Sequence, residues 1–73
     1  MENASDKRLA DIVGQIRTQR EKLGISQIKL ALKAGVSEDT VYRLEQCKSI
    51  QLYNLLRILG ALSLELTVTE NDP

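Results

Sequence analysis

Few residues in this chain can do chemistry, and their types narrow what that chemistry is. Among 73 residues there is no histidine and one cysteine, Cys47. Zinc, haem and iron–sulfur sites need several imidazole or thiolate ligands, and Ser-His-Asp or Cys-His nucleophiles need a histidine, so these are excluded. The four glycines, Gly14, Gly24, Gly35 and Gly60, stand too far apart for a phosphate-cradling loop. Neither an enzyme nor a metal or cofactor is expected. Among the polar side chains that can donate or accept hydrogen bonds are Ser37, Glu38, Asp39, Thr40 and Arg43, close together in the sequence. On a helix whose Val41 and Leu44 turn inward, these side chains occupy the outer side. Arg43 can donate two bonds to guanine O6 and N7, a pairing worth about 1–3 kcal/mol of discrimination. A phosphate contact or plain surface is its other reading. Glu38 and Asp39 can accept from cytosine N4, and they equally suit a first helical turn, where negative charge meets the positive end of the helix dipole.

The charge distribution allows the same partner. Overall the chain is neutral, but residues 17–57 carry eight basic against four acidic residues, a net +4. Residues 1–16 are net −1 and residues 58–73 net −3. A basic middle is compatible with a phosphate-contacting face, and also with an ordinary solvated surface. No apolar run approaches the roughly 18 residues of a membrane span, and the charged start lacks a signal peptide's apolar segment, so no membrane partner and a cytoplasmic location are expected.

These groups must be positioned by one small domain, because 73 residues cannot form two independent cores. With neither Trp nor Phe, that core is aliphatic. Leu9, Ile12, Val13 and Ile16 lie at helical spacing, with Leu23 continuing the stripe; Ser5 or Asp6 is the N-cap, Gly24 the stop, and the helix spans about 6–23. Ser26 caps a second helix through Ala34, with Ile28, Leu30, Ala31 and Ala34 mostly apolar or small, and Gly35 ends it. Ser37 caps a third helix that runs to about Gln46. Residues 47–50 are a loop, and Leu52, Leu55, Leu56, Leu59 and Leu62 mark a fourth helix. From Leu62 the period changes to two: Leu62, Leu64, Leu66 and Val68 alternate with Ser63, Glu65, Thr67 and Thr69, the pattern of a half-buried strand. A lone strand has no internal partner for its ladder groups.

Two short helices joined by a glycine-containing turn form a helix-turn-helix arrangement. The run Ser26-Gln27, Leu30-Ala31, Ala34-Gly35-Val36-Ser37, Thr40-Val41 and Leu44-Glu45, with Ile16-Arg17, Arg20 and Leu23-Gly24 upstream, resembles the Cro-type or xenobiotic-response-element family of lambda-repressor-like fold, over roughly residues 9–62. Leu55-Leu56-Arg57-Ile58-Leu59, Ala61-Leu62 and the alternating tail are similar to the subgroup containing HipB-type antitoxins. Departures are Cys47 where a glycine is common, Tyr42 where a small residue is usual, and no proline before helix four.

The resemblance implies an all-α fold of four to five helices with a short C-terminal β-strand that pairs across a homodimer. It divides the chain into a flexible N-terminus (1–5), a helix-turn-helix body (6–62), a dimerisation strand (63–69) and a flexible tail (70–73). It further implies that Gln27 contacts a DNA phosphate and that Glu45 pairs with Arg20. Ser37, Glu38, Asp39, Thr40, Tyr42, Arg43 and Lys48 complete the DNA-contacting set, Tyr42 altering how closely the helix enters the groove. Lys48, Ser49 and Tyr53 flank the loop after helix three and either reach phosphates or are surface. Leu64, Leu66 and Val68 would carry dimerisation, against helix four. The implied function is a homodimeric, sequence-specific repressor on an inverted-repeat operator, an antitoxin or autoregulator of its own operon, with double-stranded DNA and, for an antitoxin, a toxin kinase as partners. The alternative is an interaction module of the same fold that has lost DNA binding, suggested by neutral charge and by Glu38 and Asp39.

Overall fold

A computed structural model describes residues 4–70. Its four helices are α1 (Ala4–Lys22), α2 (Gln27–Ala34), α3 (Glu38–Glu45) and α4 (Leu52–Ala61). Local chemistry sets these boundaries. Ser26 Oγ accepts from the Lys29 N–H at 3.0 Å, and Ser37 Oγ accepts from the Thr40 N–H at 3.1 Å, each satisfying an otherwise orphaned donor of a first turn. Gly35, at φ 72°, ends α2: its N–H reaches the Ala31 and Leu32 carbonyls, and the Val36 N–H returns to Ala31. This left-handed C-terminal cap makes the turn into α3 only a few residues long.

The helices meet on one aliphatic core of Val13 and Ile16 from α1, Leu30 and Ala31 from α2, Val41 and Leu44 from α3, and Ile58, Leu59 and Leu62 from α4 and its cap. α2 packs on both α3 and α4, and α1 packs on α3. Burying side chains of this size contributes about 1.5–3 kcal/mol each. Gln19 Nε2 donates to the Leu62 carbonyl at 3.1 Å and ties the end of α4 to α1.

Several expectations are corrected. Ser5 and Asp6 do not cap α1: they lie inside it, and the helix already includes Ala4. The expected free stretch 1–5 is thus helical at Ala4 and Ser5, while residues 1–3 and 71–73 lie outside the described residues. Leu23 is exposed at the end of α1, and Ile28 is exposed on α2. In α4 the inward stripe is Leu55, Ile58, Leu59 and Leu62, with Ile58 at 0% exposure, whereas Leu52 is 62% and Leu56 48% exposed. Leu52, Leu55, Leu56 and Leu59 share the i, i+3, i+4, i+7 spacing of Leu55, Ile58, Leu59 and Leu62, so the period allows both faces and packing on α2 selects the second.

No strand is present among the described residues. Leu62 belongs to the buried end of α4 rather than to an alternating run. Ser63 adopts φ 58°, and the Leu64 N–H closes on the Leu59 carbonyl at 2.9 Å, turning the chain back over the core. Leu64 packs on the core, Leu66 is 40% exposed and Val68 90% exposed. The expected burial of all three against α4 is therefore confined, in the single chain, to Leu64. A ladder requires a second strand, and the described residues supply none.

Cys47 takes the left-handed conformation too, at φ 59°, where it closes α3: the Cys47 N–H donates to Leu44 and the Lys48 N–H to Arg43, both at 2.9 Å. A side chain bearing Cβ is disfavoured there, and Cys47 is exposed, so it loses little packing if removed. Cys47→Gly should raise the unfolding free energy by about 0.5–1 kcal/mol, read by urea denaturation under reducing conditions. A less stable variant would show that the cap geometry carries no such cost.

Candidate nucleic-acid interface

The outer side of α3 is built by exclusion. Val41, Leu44 and Glu45 are buried, which leaves Glu38, Asp39, Tyr42 and Arg43 exposed on the remaining arc, with Ser37 exposed at the cap. Thr40 is half-buried, and its Oγ1 lies 2.8 Å from Ser37 Oγ, so these two hydroxyls engage one another. Arg43 Nη2 donates to the Ser49 carbonyl at 3.2 Å, which steadies the guanidinium beside the loop while the side chain remains exposed. Lys48 is exposed in that loop. The structure thus gathers Ser37, Glu38, Asp39, Tyr42 and Arg43 on one helix.

Gln27 lies apart from this set, half-buried in the first turn of α2. Its Nε2 donates inward to Glu45 Oε1 at 3.1 Å. One amide proton is therefore committed inside the protein, and the second remains for an outside acceptor.

Glu45 is the buried charged residue of the described chain, with 1% of its side chain exposed. Arg20 grips it as a two-pronged fork, Nε to Oε2 at 2.7 Å and Nη2 to Oε1 at 3.0 Å. Arg20 Nη1 also donates to the Ile25 carbonyl at 3.0 Å. Arg17 adds Nε to Oε1 at 3.3 Å and Nη2 to the Glu45 main-chain carbonyl at 2.7 Å. Burial alone pushes the Glu45 carboxyl up, but bonds from Arg20, Gln27 and Arg17 together with the Arg20 charge outweigh it, leaving its pKa below the ordinary glutamate value. The bond to Glu45 likewise raises Arg20, against a smaller opposing effect of burial. The cluster joins α1, α2 and α3 behind the face that Arg43 occupies.

Sequence reasoning anticipated the Arg20–Glu45 pair and missed Arg17, the inward bond of Gln27, and Arg57. Arg17 and Arg20 stand three apart on one helix face, and that spacing was the available signal for a shared carboxylate. Arg57, on α4, donates Nη1 to the Gly35 carbonyl and Nη2 to Tyr53 Oη, both at 3.0 Å.

Two short helices joined through a left-handed glycine, the second held with one face inward and a polar face outward, define a helix-turn-helix domain. The helix-turn-helix family model matches residues 16–68, well over half of the chain, and the chain belongs to that family, in its lambda repressor/Cro-like form. The presence of this domain suggests a DNA-binding regulator, and the family is typically non-enzymatic. No curated protein and no solved structure is matched by the chain. No helix among the described residues is long and apolar enough to cross a membrane.

Removing the Glu45 charge leaves the half-buried Arg20 without its counter-ion, so Glu45→Gln should lower the unfolding free energy by about 3 kcal/mol. The native carboxyl titrates below the unfolded one, so acid protonates the unfolded chain first. Wild-type stability should be complete above the unfolded glutamate value of about 4.3 and fall as pH drops from there through the lower native value. Denaturation curves across that range check this, and the variant should lack the Glu45 part of the fall. Superimposable pH profiles of wild type and variant would contradict it.

Proposed function

We propose that the protein is a sequence-specific transcriptional repressor that binds an inverted-repeat operator as a homodimer, as an antitoxin or autoregulator of its own operon. The observation that carries the DNA-reading part is the exposed Arg43 face of α3, presented by a helix-turn-helix whose orientation is fixed from behind by Glu45. Arg43 reads guanine in the major groove. Gln27 contributes its second amide proton and the N-terminus of α2 to a phosphate. Ser37, Thr40, Tyr42 and Lys48 contact DNA around them. Glu38 and Asp39 accept from cytosine N4, or serve only the dipole of α3 and disfavour other sequences by repulsion.

The body over residues 6–62 binds DNA, and residues 63–69 dimerise. Residues 65–70 make no backbone hydrogen bond to another described residue, and Leu64 and Leu66 border a groove of about 290 Å³ with Ile12, Ile16 and Leu59. Pairing this segment with its two-fold copy would satisfy its backbone groups and cover Leu66 and Val68. The two α3 helices would then stand about 34 Å apart, one turn of DNA. Similarity of the C-terminal part to HipB-type antitoxins supports the antitoxin form of the reading, with a toxin kinase as its second partner. The carboxylates of Glu38 and Asp39 on the α3 face favour one competing reading, an interaction module without DNA binding.

Anisotropy titrations of a selected operator and a random duplex across salt separate the two readings. Affinity should fall with a log-log slope of about −0.9 per neutralised phosphate. Arg43→Ala should shrink the gap between operator and random DNA, whereas Gln27→Ala should weaken both about equally. A flat salt profile with equal binding to both duplexes would support the interaction module.

Dimerisation is tested by sedimentation. A charge placed at Leu66 must be desolvated in the paired form, so Leu66→Asp should yield monomers at a concentration where the wild type is dimeric. An unchanged dimer, or a wild type that is monomeric at tens of micromolar, would contradict pairing through 63–69.

A further inference from the structure

The turn between α2 and α3 decides the pose of the reading helix, and one side chain from outside the motif grips it. α3 packs on α1 and α2, and α4 packs on α2. From α4, Arg57 spans to the turn and donates Nη1 to the Gly35 carbonyl at 3.0 Å. Gly35 is the residue whose left-handed φ of 72° reverses the chain, so its carbonyl marks the direction in which the chain leaves α2 for Ser37 and α3. The guanidinium is itself held: its Nη2 donates to Tyr53 Oη at 3.0 Å, and its centre lies 4.4 Å from the Tyr53 ring centroid. A planar cation fixed by a ring face and a hydroxyl gives up less freedom on bonding the carbonyl than a mobile side chain would. Arg57 is exposed, so its contribution to the core is small.

We propose that Arg57 is a positioning residue for DNA reading: stacked on Tyr53 and bonded to the Gly35 carbonyl, it clamps the α2–α3 turn and so sets the angle at which Arg43 meets the bases. The proposal rests on the DNA-binding reading above. It differs from a phosphate contact in its consequence. A positioning residue affects discrimination and leaves the salt slope unchanged, whereas a phosphate contact affects every sequence and carries part of the slope.

The test uses the full chain, a duplex selected by the wild type from a random pool, and a random duplex of equal length. Arg57→Gln is too short to reach Gly35, and Arg57→Lys keeps the charge but cannot form the stacked fork. Arg57→Gln should lose about tenfold in affinity for the selected duplex, and clearly less for the random one, with parallel salt slopes. Arg57→Lys should fall between wild type and Arg57→Gln on the selected duplex despite its charge. Hydrogen exchange at the Val36 amide, which bonds the Ala31 carbonyl across the turn, should quicken in both variants. Circular dichroism melts set a temperature at which each variant is folded. Equal losses on both duplexes, with a slope shallower by about 0.9 and full rescue by Arg57→Lys, would overturn the proposal in favour of a phosphate contact. Unchanged affinities would overturn it as well. A wild type that selects no sequence would instead overturn the DNA-binding reading, and the Val36 exchange would then still report whether Arg57 holds the turn.

Discussion

A carboxylate taken out of water has to be repaid in hydrogen bonds, and the organisation of this small domain follows from how Glu45 is repaid. An unpaired buried carboxylate costs several kcal/mol. Here four side-chain donors reach its two oxygens: two from Arg20, one from Arg17 and one from Gln27. Those donors come from α1 and α2, while the carboxylate sits at the last residue of α3. Satisfying one charge therefore fixes three helices relative to one another, in a way that aliphatic contacts, being non-directional, do not. With Glu45 pointing inward, the rest of α3 has no choice of face. Val41 and Leu44 enter the core, and Arg43 and Tyr42 remain outside.

The same economy appears at the helix ends. Gly24, Gly35, Cys47 and Ser63 all take positive φ, and each closes a helix within a few residues of the next turn of chain. Short connections leave little freedom in how α2 meets α3, and the Arg57 bond to the Gly35 carbonyl acts on the one connection whose direction α3 inherits. Behind that frame, a core without Trp or Phe has little margin. Leu66 and Val68 add nothing to that core: both are exposed, and residues 65–70 make no backbone hydrogen bond to another described residue.

Much of this was legible in the sequence because it depends on local chemistry. Ser26, Gly35 and Ser37 announce helix ends wherever they stand, and Leu30, Val41 and Leu44 carry a helical period with polar neighbours to contrast against. The outward set on α3 followed from the same contrast. Where contrast was missing, the reading failed: Leu52 and Leu56 look as apolar as Leu55 and Ile58, and only packing against α2 shows which pair is inside. The start of α1 was misplaced because a serine and an aspartate are compatible with a cap and with a first turn. Gln27 illustrates a third kind of difficulty. Its sequence position suggested an outward amide, but the buried carboxylate beside it exists only once three helices have come together. The C-terminal alternation is real as a pattern, but a ladder needs two strands, and the described residues contain no strand.

The pose of α3 therefore depends on the Arg20–Glu45 contact acting as an anchor rather than as a surface ion pair. A double-mutant cycle of Arg20→Met and Glu45→Gln, read as unfolding free energy, measures this directly. Coupling of about 2 kcal/mol or more is expected, because Arg20→Met takes away two of the four donors to the buried carboxylate, Glu45→Gln leaves the Arg20 charge without its counter-ion, and after either change the second costs less. Losses that add to within about 0.5 kcal/mol would contradict it, and would reduce the pair to the value of an exposed ion pair.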